Sequence, residues 1–250
     1  MSGHSKWHQI RRKKAITDAK RGKAFTQVIK EITIAARLGG GDPGGNPRLR
    51  LAIEKAKATN MPADNIKRAI QKGTGELPGM AYEDAVYEAY GPGGVAIMIE
   101  CVTDNKTRTV NEIRHMLDRN HGKLAATGAV AYQFHKKGVI TVPAASIPED
   151  DLMSIALEAG AEDIRSDSDA HIVYTSPERF EEIKTFLENK SIKPDHAEIQ
   201  LIPENNIRIE SKDAEQVLKL MEALEEHDDV QHVTSTFDID EKTMAELQHN

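Results

Sequence analysis

The chain predicts an α+β protein, with an N-terminal three-helix domain followed by two ferredoxin-like α/β domains, one inserted into the other. Three observations predict it. Apolar residues recur at helical spacing up to about residue 75, and β-branched, strand-like runs take over beyond it. Residues 138–202 then spell a complete β-α-β-β-α-β series. The charge divides at the same place. Residues 1–75 hold 17 Lys and Arg against 5 Asp and Glu, a net +12, while residues 76–250 hold 16 against 35, a net −19. The overall charge of −7 conceals that asymmetry.

The first helix is expected through FTQVIKEITIAARLGG, where Phe25, Val28, Ile29, Ile32 and Ala36 share a face and Gly39 to Gly41 stop it. After the loop GGGDPGGNP, Asn46 is placed to cap a helix whose first residue is Pro47 and which buries Leu49, Ala52, Ile53 and Ala56. That helix breaks at Asn60. Pro62 opens a third, with Ile66, Ala69 and Ile70 inside and Gly73 as its stop. LPG at 77–79 reads as a linker.

VYEAY (86–90) and GVAIMIECV (94–102) read as strands joined by a turn at Gly91-Pro92-Gly93-Gly94. A helix follows, with Thr109 and Glu112 spaced as a capping box and Val110, Ile113, Met116 and Leu117 facing inward. AVAYQF (129–134) is expected as a strand. In the 138–202 series the strands are 138–142, 161–166, 171–175 and 197–202, and the helices 149–160 and 177–189. The preceding ββαβ piece lacks one helix and one strand, which 213–226 and 230–239 supply. The expected domains are therefore 1–75, then 80–135 with 205–240 as one discontinuous unit, and 136–204 inserted into it.

No apolar run approaches the roughly 18 residues that a membrane span needs. MSGHSKWHQIRRKK has no apolar stretch behind its charges, unlike a secretory signal. A single cysteine, Cys101, leaves no internal disulfide and fits a reducing compartment, with the cytoplasm as the default. Cys101 has strand neighbours on both sides and reads as a small buried side chain.

A basic module on an acidic body is the electrostatic footprint of a nucleic-acid binder, because phosphate attraction follows the local field. Its densest part is Lys6, Trp7, Arg11, Arg12, Lys13, Lys14, Lys20, Arg21 and Lys23, interrupted by one acid, Asp18. The cations suit phosphates. Trp7 suits stacking on a base or, equally, a hydrophobic staple on the bundle. Thr103-Asp104-Asn105-Lys106-Thr107-Arg108 sits where a strand meets a helix amino terminus. Capping chemistry accounts for Asp, Asn and Thr there, and leaves Lys106 and Arg108 as a possible second contact. The glycine-rich stretches lack any nucleotide fingerprint. His4 and His8 lack a third ligand, no carboxylate pair is tuned, and no nucleophile is set beside a base. Neither an enzyme, a metal, a cofactor nor a small-molecule substrate is called for.

SGHSKWHQIRRKKAITDAKRGKAFTQVIKEI, AARLGGGDPGGNPRLRLAIEKAKATNMPADNIKRAIQKGTG and YEAYGPGGVAIMIECVTDNKTRT resemble the YebC family, and the resemblance runs along the whole chain. It implies a helical amino-terminal domain followed by two α/β domains, one inserted in the other, and no established catalytic residues. Members are generally described as transcriptional regulatory proteins. Mitochondrial relatives are translational activators, and bacterial ones have been linked to relief of ribosome stalling. The resemblance carries nucleic-acid contact onto Lys6 through Lys23. Two functions follow. The first is a DNA-binding transcriptional regulator, supported by the basic bundle and a helix-turn-helix-like joint at Asn60 to Ala63. The alternative is a ribosome-associated translation factor that binds ribosomal RNA and relieves stalling, suited by three semi-independent domains with an acidic far end.

Overall fold

The computed structural model describes residues 18–166 and 169–239, with side chains of the first helix from Gly22 onward. Helix α1 (Asp18–Gly39) packs Val28, Ile32, Ala35 and Ala36 against Leu49, Ala52 and Ala56 of α2 (Pro47–Ala58) and Ile66 and Ala69 of α3 (Ala63–Thr74). Asn46 ties two helix ends together. Its Oδ1 accepts from the Leu49 amide at 3.1 Å, opening α2, while its Nδ2 donates to the carbonyls of Ala35 and Gly40 at the end of α1, at 2.8 Å each. Asn60 (φ 58°) makes the turn between α2 and α3.

Gly73 is not the stop of α3. The helix runs to Thr74, and Gly75 at φ 84° ends it. Gly73 lies inside α3 because a Cβ there would sit 2.4 Å from the Thr33 carbonyl oxygen and 2.7 Å from the Ala36 Cβ. It is the close-approach point of α1 and α3. Gly73→Ala should therefore lower stability by about 1–3 kcal/mol despite alanine's better helix propensity. Chemical denaturation of the intact chain checks it, and an unchanged midpoint would show that the two helices part without cost.

Beyond the bundle, β1 (Glu83–Tyr90) and β2 (Ala96–Thr103) form an antiparallel pair running from Tyr90↔Ala96 to Glu83↔Thr103. Gly93 and Gly94 make the turn with φ of 71° and 76°. The edge strand β3 (Lys123–Leu124) pairs with β1, and β9 (Val230–Ser235) pairs with β2, giving the order β3-β1-β2-β9. Helices α4 (Lys106–Arg119) and α7 (Ser211–Glu225) cover one face, seating Ile113, Leu117, Val217, Leu220 and Leu224 on Ala89, Ile97 and Ile99. Cys101 belongs to this core, and burial pushes its thiol up to about 12.

The second sheet has the order β5-β6-β4-β7, from β4 (Phe134–Pro143), β5 (Asp163–Ser166), β6 (Ala170–Thr175) and β7 (His196–Pro203), all antiparallel. Helices α5 (Glu149–Glu158) and α6 (Phe180–Asn189) bury Leu152, Ala156, Ile183 and Leu187 on Ile140, Val142 and Val173. The two sheets meet through Ala96, Met98, Val130, Phe134 and Leu201, and Leu51 of α2 packs on the second core.

Three local expectations give way to side-chain chemistry. Residues 129–134 do not form a strand: Ala131–Gln133 is a short 3-10 turn, and β4 starts at Phe134. The buried Glu88 carboxylate captures the amides of Gly128, Val130 and Ala131, which a ladder would otherwise need. Helix α4 starts at Lys106, with Asn105 Oδ1 accepting from the Arg108 amide at 3.0 Å, so Thr109 lies inside the first turn rather than at a capping box. The strand expected over 230–239 breaks at Thr236, whose hydroxyl and amide both bond Ala96. Phe237–Asp238 (β10) instead pairs in parallel with Ile207–Arg208 (β8). No described helix is long and apolar enough to cross a membrane.

Candidate nucleic-acid interface

Lys6, Trp7, Arg11, Arg12, Lys13 and Lys14 lie outside the described residues, as do His4 and His8. Lys20 and Arg21 stand on the first turns of α1, without described side chains. Lys23 follows one turn later and is half-buried. Its ammonium donates to the carbonyl of Glu225 at the end of α7, where a helix dipole favours a cation.

Lys23, Gln27 and Lys30 are four and three residues apart and so occupy one face of α1. That face docks on the segment joining α7 to β9. Gln27 Nε2 donates to the Val230 carbonyl at 2.6 Å, and Lys30 Nζ donates to the Asp228 carbonyl at 2.9 Å and to Asp229 Oδ1 at 2.6 Å. Asp229 is buried, and its other oxygen receives Arg108 Nη2 at 2.6 Å, the Thr109 hydroxyl at 2.7 Å and the Thr103 hydroxyl at 3.2 Å. Burial would raise the Asp229 carboxyl. The hydrogen bonds from Lys30, Arg108 and Thr109 outweigh it and hold the group far below the usual carboxylate range. A second pin is Arg48, which bonds Glu31 of α1 at 2.7 Å and both Asp84 oxygens of β1 at 2.8 Å.

Arg108, proposed from sequence as a second nucleic-acid contact, is thus a member of the seam and also bonds Asp104 at 3.0 Å. The bond to Asp229 raises its pKa above the ordinary arginine value. Lys106 pairs with Glu83 at 2.8 Å. Around the seam, a cleft of about 610 Å³ is lined by Lys30, Tyr82, Arg108, Glu112, His227 and Asp229, among others. Glu112, His227 and Asp229 bring donor atoms within 4.8 Å of one another. However, His227 Nδ1 accepts the Asp229 amide at 3.1 Å and its Nε2 lies 2.8 Å from Glu112, while Arg108 supplies the positive charge facing Asp229. Those donors are already engaged with one another and with Arg108.

The outward side of the bundle is different. Lys57 of α2 and Lys67, Arg68 and Lys72 of α3 are exposed and make no ion pair among the described residues. Sequence reasoning placed no contact on them, although the apolar face set by Ile66 and Ala69 already turns Lys67, Arg68 and Lys72 outward. The bundle therefore presents cations on α3 while α1 holds it to the acidic body.

Residues 5–76 match the TACO1/YebC protein N-terminal domain, and residues 82–237 match the TACO1/YebC second and third domain. A "probable transcriptional regulatory protein" of Gemmatimonas aurantiaca is 54% identical over 98% of this chain and 100% of its own length. One of the same name from Pelodictyon phaeoclathratiforme is 52% identical over 99% of each. The crystal structure of a conserved hypothetical protein from Aquifex aeolicus superposes with a TM-score of 0.83 at 48% identity, covering 90% of this chain and 93% of that one.

Proposed function

The chain belongs to the TACO1/YebC family, and from that premise we propose that it is a non-enzymatic regulator of gene expression that works by binding nucleic acid, with DNA in transcriptional control as the first target. The observation that carries this reading is the basic stretch of residues 1–75, whose α3 cations are exposed and form no ion pair among the described residues. A polyanion would approach from the bundle side, taking Lys6 through Arg21 and the outer face of α3 as phosphate contacts. In this reading 80–135 with 205–240 form one acidic body and 136–204 a second, and both bear on the bundle.

A translation factor on ribosomal RNA is the second reading. The docking of α1 on Asp229 favours it, because a bundle held on a bulky body offers one face to a large, shaped surface. Crosslinking the chain to its nucleic acid in cells and sequencing what is recovered decides between them. Promoter fragments are expected for the first reading, and ribosomal RNA in their place would establish the second.

A further inference from the structure

In a body whose residues 76–250 carry 35 acids, the thirty residues 119–148 contain none, yet they hold Arg119, Lys123, Lys136 and Lys137. This acid-free stretch includes the connection from α4 through β3 to β4. Its most exposed large hydrophobic side chain is Tyr132, at 71%. Tyr90, also exposed, stands directly opposite Lys123 in the β1–β3 ladder, so the two side chains share a face. Tyr90 donates its hydroxyl proton to the Ala129 carbonyl at 3.2 Å, fixing the ring against the same loop.

The loop is held from beneath. The Glu88 carboxylate is 6% exposed and accepts the amides of Gly128, Val130 and Ala131 at 2.5, 2.7 and 2.9 Å. Val130 is buried in the seam between the sheets. Tyr132 follows within two residues of these anchors, so its ring is presented on fixed backbone and little ordering remains for a ligand to impose. Arg119, Lys123 and Lys136 are exposed and form no ion pair among the described residues. A planar ring on a rigid loop, in a stretch whose exposed Arg119 and Lys123 form no ion pair among the described residues, is complementary to a base beside phosphates. Only a base with an open face can receive a tyrosine ring, so a paired duplex interior does not fit.

We propose that residues 119–137 form a second nucleic-acid contact in which Tyr132 stacks on an unpaired base while Lys123 and Lys136 take flanking phosphates. The inference rests on the nucleic-acid reading above and names the chemical class of ligand: a segment of unpaired nucleotides, of RNA or of opened DNA.

The test measures fluorescence anisotropy of the full chain with labelled single-stranded RNA roughly ten nucleotides long, single-stranded DNA of the same sequence, and the blunt duplex. Tyr132→Ala should weaken single-strand binding about tenfold and leave duplex binding unchanged, and Tyr132→Phe should retain the parent affinity. A larger loss on RNA than on DNA assigns the source to RNA, and equal losses assign it to any unpaired strand. The melting temperature should not move, since Tyr132 is exposed. Parent affinity of the Tyr132→Ala chain for both single strands overturns this inference alone. Failure of the unchanged chain to bind any strand or duplex overturns the nucleic-acid reading itself.

Discussion

Asp229→Ala is expected to destabilise the intact chain by about 3 kcal/mol. The carboxylate serves Lys30 from the bundle and Arg108, Thr109 and Thr103 from the first sheet, so its loss strands a buried ammonium and two buried hydroxyls at once. Lys30→Met combined with Asp229→Leu should recover part of the loss, because the buried ammonium is removed with its partner, while Arg108 keeps Asp104 and the Thr103 and Thr109 hydroxyls still lack the carboxylate. The pH dependence follows the same logic. The folded carboxyl lies below its unfolded value, so its contribution is present above pH about 4 and fades as the pH falls toward the folded value. Asp229→Ala should accordingly flatten the acid limb of the stability profile. Denaturant melts across pH check both statements, and an acid limb identical to the parent's would remove Asp229 from its role as hub.

Replacing Arg11, Arg12, Lys13 and Lys14 together by alanine should weaken binding about a thousandfold at roughly 0.1 M salt. Each contact with a phosphate displaces condensed counterions, and four such contacts compound. The loss should be similar for unrelated sequences, because phosphates carry no sequence information. The fold should persist, since the described bundle core begins at Phe25 and Val28. A loss confined to one sequence would reassign these residues to base recognition.

Much of the fold was legible because its signals are local. Asn46 and Pro47 announce α2 within two residues, and the apolar runs on either side of Gly91-Pro92-Gly93-Gly94 announce the β1–β2 hairpin. Two of the failures share one cause. Gly73 looks like a stop by composition, but its role depends on Thr33 and Ala36 of another helix. Residues 129–134 have strand composition, but Glu88, some forty positions earlier, takes their amides. The candidate site divides the same way. The density of cations before residue 24 is visible in any window, and so is a polar cluster at 103–108. That Arg108 faces Asp229, 121 positions away, is not. No periodicity links two such residues, so a side chain read as an available cation is part of the joint between the bundle and the sheet. The α3 cations give no sequence signal for another reason: their spacing is that of an ordinary solvated face, and only the structure shows them exposed and without ion pairs among the described residues.

On the proposed function, residues 1–75 supply the nucleic-acid affinity of a chain whose remainder is acidic. Salt titration tests it most directly, by comparing the slope of log affinity against log salt for the intact chain and for the Arg11, Arg12, Lys13 and Lys14 quadruple alanine variant. The slope should become shallower by about four, close to one for each phosphate contact removed. An unchanged slope, with affinity intact, would place the phosphate contacts elsewhere on the molecule and contradict the account.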